Sequence, residues 1–139
     1  MSNEEDRINN LVAEIRMLEG ALNEISARQN FLERILVDGR TAVETIKGID
    51  SSSSEEILMP VGAGVLLRSV PPKVDKVLVN IGANVVVEKS KDDATKFMEA
   101  RSKELEESLV SLISQRNQVA QRLDSDRRAA QALINRQGQ

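Results

Sequence analysis

The sequence lacks cysteine and histidine altogether, and it holds only two aromatic residues, Phe31 and Phe97, among 139 residues. Without cysteine there is no disulfide framework, and without both residue types there is no zinc site of the usual nitrogen and sulfur kind. A nucleophile activated by histidine is excluded as well. The formal net charge of −3 and the scarcity of aromatic side chains also argue against nucleic-acid binding.

Long apolar runs are missing too. No stretch approaches the roughly 18 consecutive apolar residues of a membrane span. The opening residues are acidic and contain no apolar h-region, so a secretory signal peptide is not expected. These features predict a soluble, cytoplasmic protein.

Proline and valine divide the chain into segments. All three prolines and nine of the 14 valines fall within residues 57–87, between two charged segments that contain no proline. The composition predicts an N-terminal coiled-coil helix over 1–48, a linker over 49–56, two β-hairpins over 57–90 and a C-terminal coiled-coil helix over 91–139.

The first segment follows a heptad repeat from Ile8 at position a and Leu11 at position d. Ten of its twelve seam positions are apolar, which indicates a coiled coil and leaves an ordinary amphipathic helix as the alternative. In the last segment the seam runs through Met98 and Leu133, and eight of twelve positions are apolar. A start at Ser90 is expected because serine followed by acids in the first turn is typical of a helix N-terminus.

The two helices are expected to fold back on each other as an antiparallel coiled coil. Pairing residues whose numbers add to 141 places a positions opposite d positions and joins Leu22 to Val119 and Ile8 to Leu133. The same register places Asp126 opposite Ile15, where a carboxylate is expected to weaken pairing and favour separation of the helix ends.

The middle segment contains an internal repeat at a spacing of 20 residues. The stretch from Pro60 to Arg68 aligns with the stretch from Asn80 to Glu88, and Gly64 matches Asn84. Glycine and asparagine are the residues that best accept positive φ, so each copy is predicted to be a strand, a tight turn and a second strand.

The predicted strands carry apolar side chains on both faces. A pair of hairpins alone cannot cover two apolar faces and its own edges, so we expect strands of several subunits to close a sheet or barrel. Packing against the chain's own helices is the alternative. The predicted oligomerisation residues are Val61, Val65, Leu67, Val77, Val79, Ile81, Val85 and Val87.

No catalytic constellation is found. Gly62-Ala-Gly64 lacks the third glycine and the following helix of a dinucleotide-binding turn. Paired acids fall on expected helix surfaces or helix starts, so we expect no enzyme, no metal and no cofactor. Two interpretations stay open for the basic run Arg122, Arg127, Arg128 and Arg136: an acidic partner, or a solvated face balanced by the first helix.

A helix, two hairpins and a second helix, with Pro-Val-Gly-Ala-Gly in the first hairpin and Ile-Gly-Ala-Asn in the second, resemble the prefoldin family. The resemblance is to an archaeal alpha-type subunit, since beta-type subunits carry one hairpin. It implies an α+β fold, a long antiparallel two-helix coiled coil with two β-hairpins between the helices, the hairpins assembling into an intersubunit β-barrel.

The resemblance also implies a function. It suggests an ATP-independent co-chaperone, or holdase, in a hexamer of two alpha-type and four beta-type subunits that delivers unfolded clients to a group II chaperonin. A structural coiled-coil scaffold, or a filament-forming gamma-type prefoldin, is the alternative. The family's client-binding region is the distal coil, which corresponds here to Ile8, Leu11, Val12, Ile15, Ala130, Leu133 and Ile134. Val12 and Ile134 lie off the strict seam and are expected to be the more exposed.

Overall fold

The structure, a computed structural model, describes residues 2–49, 56–70 and 75–138. The order of elements is helix, four strands, helix. Their bounds are α1 Ser2–Gly48, β1 Ile57–Gly62, β2 Val65–Ser69, β3 Lys76–Gly82, β4 Val85–Ser90 and α2 Lys91–Gln137. The predicted α+β fold of two long helices and two hairpins is confirmed. Most of the predicted linker, residues 50–55, and the Pro71-Pro72 junction lie outside the described residues.

Local hydrogen bonds mark the helix ends that adjoin the strands. The hydroxyl of Ser90 accepts a hydrogen bond of 3.1 Å from the backbone N–H of Asp93, so serine caps α2 as the sequence predicts. The Lys91 ammonium donates to the backbone carbonyl of Ile49, just beyond α1, at 3.0 Å. A positive charge is favourable there because the last carbonyls of a helix carry partial negative charge.

The chain forms two compact units. One contains Met1–Ile35 and Leu105–Gln139, and the other contains Leu36–Glu104. The first unit buries apolar side chains of α2 along its helix pairing, namely Leu112, Leu123, Ala130 and Leu133. The second buries Leu36, Val79 and Ala94. All seven of these side chains are aliphatic, so neither phenylalanine is among the buried residues of the described chain.

Contacts between the helices agree with the predicted antiparallel register. In the second unit a Cβ on Gly39 would lie 3.4 Å from Ser102 Oγ, and these two numbers add to 141. In the first unit Arg116 contacts Gln29 and Arg127 contacts Glu19, a few positions from the same register. Long side chains reach across about one helical turn, so such offsets are ordinary.

Each hairpin is a two-stranded antiparallel sheet. Strands β1 and β2 pair through Met59 with Leu67, and β3 and β4 pair through Val79 with Val87. In both hairpins the register shifts by one residue just before the turn. Among the described helices, neither is apolar enough along its length to cross a membrane.

Candidate interaction surfaces

The two hairpins share one turn geometry. Ala63 and Ala83 both have φ of 51°, and the residues after them, Gly64 and Asn84, have φ of 78° and 62°. Positive φ at both central positions is the signature of the turn whose twist suits a two-residue hairpin. The predicted positive φ at Gly64 and Asn84 is confirmed. The same conformation at the two alanines was not predicted, because alanine gives no sequence signal for it.

The first hairpin leaves most of its apolar side chains in solvent. Both faces are involved, since neighbouring residues of one strand point to opposite sides. Within this hairpin the side chains are about half exposed or more at Leu58, Met59, Val61, Val65, Leu66 and Leu67. A two-stranded sheet with two uncovered apolar faces is marginally stable in water, so this surface is suited to burial against other chains.

The second hairpin is different, because one of its faces lies against its own unit. Val79 is only 9% exposed, and Val77 and Val87 are half-buried. On the same face the Lys89 ammonium lies 5.1 Å from the centre of the Phe97 ring, in the first turns of α2. The opposite face is open, with Leu78 at 74% and Val86 at 54% exposed.

The predicted oligomerisation residues therefore differ in exposure. Val61, Val65, Leu67, Ile81 and Val85 are exposed, whereas Val77, Val79 and Val87 lie on the covered face. Packing on the chain's own residues, the alternative considered from the sequence, is realised for that face. Four exposed strand residues were missed, namely Leu58, Leu66, Leu78 and Val86, and Leu78 and Leu58 are the two most exposed apolar residues of the described strands. Period-two alternation could have separated the two faces of the second hairpin. It could not have shown which of them the helices cover.

In the first unit, the predicted client-binding residues fall into three levels of exposure. Ile134 is 49% exposed, while Ala130 and Leu133 are buried at 7% each. The four α1 residues Ile8, Leu11, Val12 and Ile15 are half-buried. The expected exposure of the off-seam residues is thus seen at Ile134 and not at Val12.

Asp126 lies in the seam without opening it. The residue is 6% exposed, and its Oδ2 atom has no hydrogen-bond partner within the described part of the chain. Removal from water raises the pKa of Asp126, and the neighbouring Glu14 charge adds to this rise while Arg122 opposes it. The expected separation of the helices at Asp126 is not observed, since Ala130 and Leu133 beyond it stay buried.

Arginines of α2 reach across to acids of α1 in this region. Arg122 Nε donates to Glu14 at 2.8 Å and lies 3.5 Å from Asp126, and the bond to Glu14 raises the pKa of the arginine. Arg127 donates to Glu19 at 2.8 Å. Arg128 pairs instead within α2, with Asp124 at 3.1 Å. These three members of the basic run are therefore neutralised internally.

A polar pair interrupts the seam farther along. Arg116 donates to the side-chain oxygen of Gln29 at 3.0 Å, and both residues are half-buried. The two side chains come from opposite helices, and each occupies an a position of its own heptad pattern. Polar partners at such positions favour one register over its neighbours at some cost in stability.

An open groove of about 400 Å³ lies between the helix ends of the first unit. Its apolar floor includes Leu11 of α1 and Leu133 of α2, and each helix contributes one arginine. The lining residues are Arg7, Asn10, Leu11, Ala129, Ala132, Leu133 and Arg136. Arg136, the fourth member of the basic run, thus lines a groove between the helices.

Comparison with known proteins agrees with this architecture. The family model of the prefoldin subunit matches residues 5–136, nearly the whole chain. This chain belongs to the prefoldin family. Among curated prefoldin proteins, "Prefoldin subunit alpha" of Methanoculleus marisnigri is 31% identical, with 90% of this chain and 93% of that protein covered. "Prefoldin subunit alpha" of Nitrosopumilus maritimus is 27% identical, covering 94% of this chain and 90% of its own length.

Solved prefoldin structures share the fold. The prefoldin beta subunit from Thermococcus strain KS-1 matches with a TM-score of 0.62 at 14% identity, covering 90% of each chain. The filamentous prefoldin from Methanocaldococcus jannaschii matches with a TM-score of 0.51 at 21% identity, covering 87% of this chain and 95% of its own. At these identities the likeness concerns the fold alone.

Proposed function

We propose that this prefoldin-family chain is an alpha-type subunit of a hetero-oligomeric co-chaperone. In this proposal its hairpins join those of beta-type subunits, in a hexamer of two alpha-type and four beta-type chains. The ends of its coiled coil hold unfolded clients without ATP and pass them to a group II chaperonin. It acts in the cytoplasm and has no catalytic role or cofactor.

The exposed apolar strands are the observation that carries the assembly part. Leu58, Leu66, Leu78 and Val86 are each more than half exposed, and within the described residues each of their strands pairs with one other strand only. Contiguous apolar surface of this kind marks an interaction site, and open strand edges are templates for further strands. The alpha-subunit names of the curated relatives support a beta-type partner for it.

The client-holding part rests on the coil ends. Ile134 of α2 is exposed, Ile8 and Leu11 of α1 are half-buried, and the groove between the helices is lined in part by Leu11 and Leu133. Each such contact is weak, but several coil ends acting on one unfolded chain multiply their effective affinity. This arrangement favours broad specificity, since no enclosed pocket selects one ligand.

Native mass spectrometry of complexes captured by a tag on this chain tests the assembly. Two copies with four of a smaller helical subunit are expected. Leu66→Ser with Leu78→Ser should reduce assembly, whereas Val110→Ser, at a helix position that is 69% exposed, should not. A ladder of this chain alone would favour the filament or scaffold alternative and would contradict the hexamer.

Truncation tests client holding separately. Deleting residues 1–15 and 127–139 removes both helix ends at matching levels of the predicted register. The truncated chain should assemble as before and lose suppression of client aggregation. If the truncated complex still holds unfolded clients, the coil ends are not the binding site.

A further inference from the structure

The groove at the helix ends is lined by apolar and basic side chains. Leu133 is buried and Leu11 is half-buried, whereas Arg7 and Arg136, which come from the two different helices, are exposed. No aspartate or glutamate is part of its described lining. The groove therefore has apolar side chains at its more buried positions and positive charges at two exposed positions.

The two groove arginines differ in their pairing from three other arginines of the same unit. Arg122, Arg127 and Arg128 are all ion-paired with acids, at 2.8 to 3.1 Å. Within residues 2–49, 56–70 and 75–138, no ion pair is formed by Arg7 or Arg136. Their guanidinium groups retain donors that match the planar geometry of a carboxylate.

We propose that this groove selects acid-flanked apolar segments of unfolded proteins, in which an aliphatic side chain has carboxylates on both sides. The inference rests on the proposed function and adds the chemistry of the preferred client segment. The aliphatic side chain contacts Leu11 and Leu133, while the flanking carboxylates accept hydrogen bonds from Arg7 and Arg136. A volume of about 400 Å³ is near the lower end for ligand sites, which suits a few side chains of an extended segment.

Charge selection is expected to act at contact rather than at long range. Glu4, Glu5 and Asp6 immediately precede Arg7, are exposed and do not line the groove. They offset the positive field outside it, so acidic segments are not steered from a distance. Selectivity should therefore appear in dissociation rates more than in association rates.

Fluorescence anisotropy with labelled peptides tests the proposal on the full chain in its purified oligomer. The probes share a central Leu-Val-Leu sequence flanked by Glu, by Gln or by Lys. The Glu probe should bind most tightly and the Lys probe least. Replacing both groove arginines, Arg7→Gln with Arg136→Gln, should weaken the Glu probe about three- to tenfold and leave the Gln probe unchanged.

Charge reversal supplies a result that a damaged fold cannot imitate. Arg7→Glu with Arg136→Glu should invert the preference, so that the Lys probe binds more tightly than the Glu probe. The matched control, Arg28→Glu with Arg34→Glu, changes the net charge equally at exposed positions outside the groove and should keep the wild-type order.

Failure of the inference and failure of the proposed function give different results. If the three probes bind equally and the unaltered oligomer still suppresses client aggregation, charge selection is refuted and client holding stands. If no probe binds and aggregation is not suppressed, client holding is refuted as well. If the control variant lost the preference for the Glu probe equally, charge selection by the groove would also be contradicted. The change in net charge would then explain the loss.

Discussion

A double-mutant cycle on the polar pair in the seam would measure what fixes the helix register. Arg116 donates to Gln29 at 3.0 Å between two half-buried side chains of opposite helices. Gln29→Leu leaves the charged guanidinium in the seam without this acceptor. Arg116→Leu leaves only a neutral amide without its partner, which costs less free energy than an unpaired charge.

The expected magnitudes follow from burial. Because water still reaches both side chains, Gln29→Leu should lower the free energy of unfolding by about 1 to 2 kcal/mol, and Arg116→Leu by about 0.5 to 1 kcal/mol. The double variant places leucine on both sides of an apolar seam. It should be as stable as the wild type or more so, since replacing both polar partners removes the desolvation cost. The coupling energy is then about 2 kcal/mol.

Urea unfolding followed by circular dichroism, at one fixed protein concentration, provides the assay. The exposed pair Lys47 and Glu99, at 3.1 Å, supplies the control cycle and should show a coupling below about 0.5 kcal/mol. If Gln29→Leu and Arg116→Leu prove additive, the bond contributes nothing specific to the seam. If the double variant is less stable than either single variant, the account of desolvation is wrong.

Three further results are expected from the same measurement. Leu123→Ala, at a residue 3% exposed, should cost about 2 to 4 kcal/mol, whereas Ile134→Ala, at 49% exposed, should cost less than about 1 kcal/mol; equal costs would contradict the assignment of seam and surface. The raised pKa of Asp126 gives stability that is complete below its unfolded-state pKa and is lost as pH rises through its folded-state pKa. The free energy of unfolding of Asp126→Asn should therefore rise relative to that of the wild type as pH increases above the unfolded-state pKa, and a difference independent of pH would refute this. Asn84→Ala should cost about 1 kcal/mol and Asn84→Gly almost nothing, because φ is 62° there; equal costs would show that the turn tolerates any side chain.

Much of the fold could be predicted from the sequence because the patterns that indicate it are local. The heptads predicted the helices, and the match of Gly64 with Asn84 predicted two similar turns, both of which are confirmed. Neither pattern carries information about which face of a hairpin the helices cover, so Val79 was placed on an intersubunit surface although it is 9% exposed.

The helix ends show the same limit. A carboxylate at a seam position predicts weakened pairing, and the sequence alone led to separated ends at Asp126. In the structure Arg122 bridges Glu14 and Asp126, so that a partner from outside the heptad pattern offsets part of the charge. The pairing of long side chains between helices depends on rotamers, which periodicity does not encode.

The direction of the ion pairs in the first unit limits how chains can mispair. Glu14 and Glu19 both belong to α1, and their partners Arg122 and Arg127 both belong to α2. If copies of α1 from neighbouring subunits aligned in parallel, glutamate would face glutamate, and the same alignment of α2 would bring arginines together. Like charges at a contact disfavour a wrong partner even where each correct pair adds little stability. This segregation of charge therefore disfavours pairing between like helices of different chains and leaves the pairing of α1 with α2 favoured.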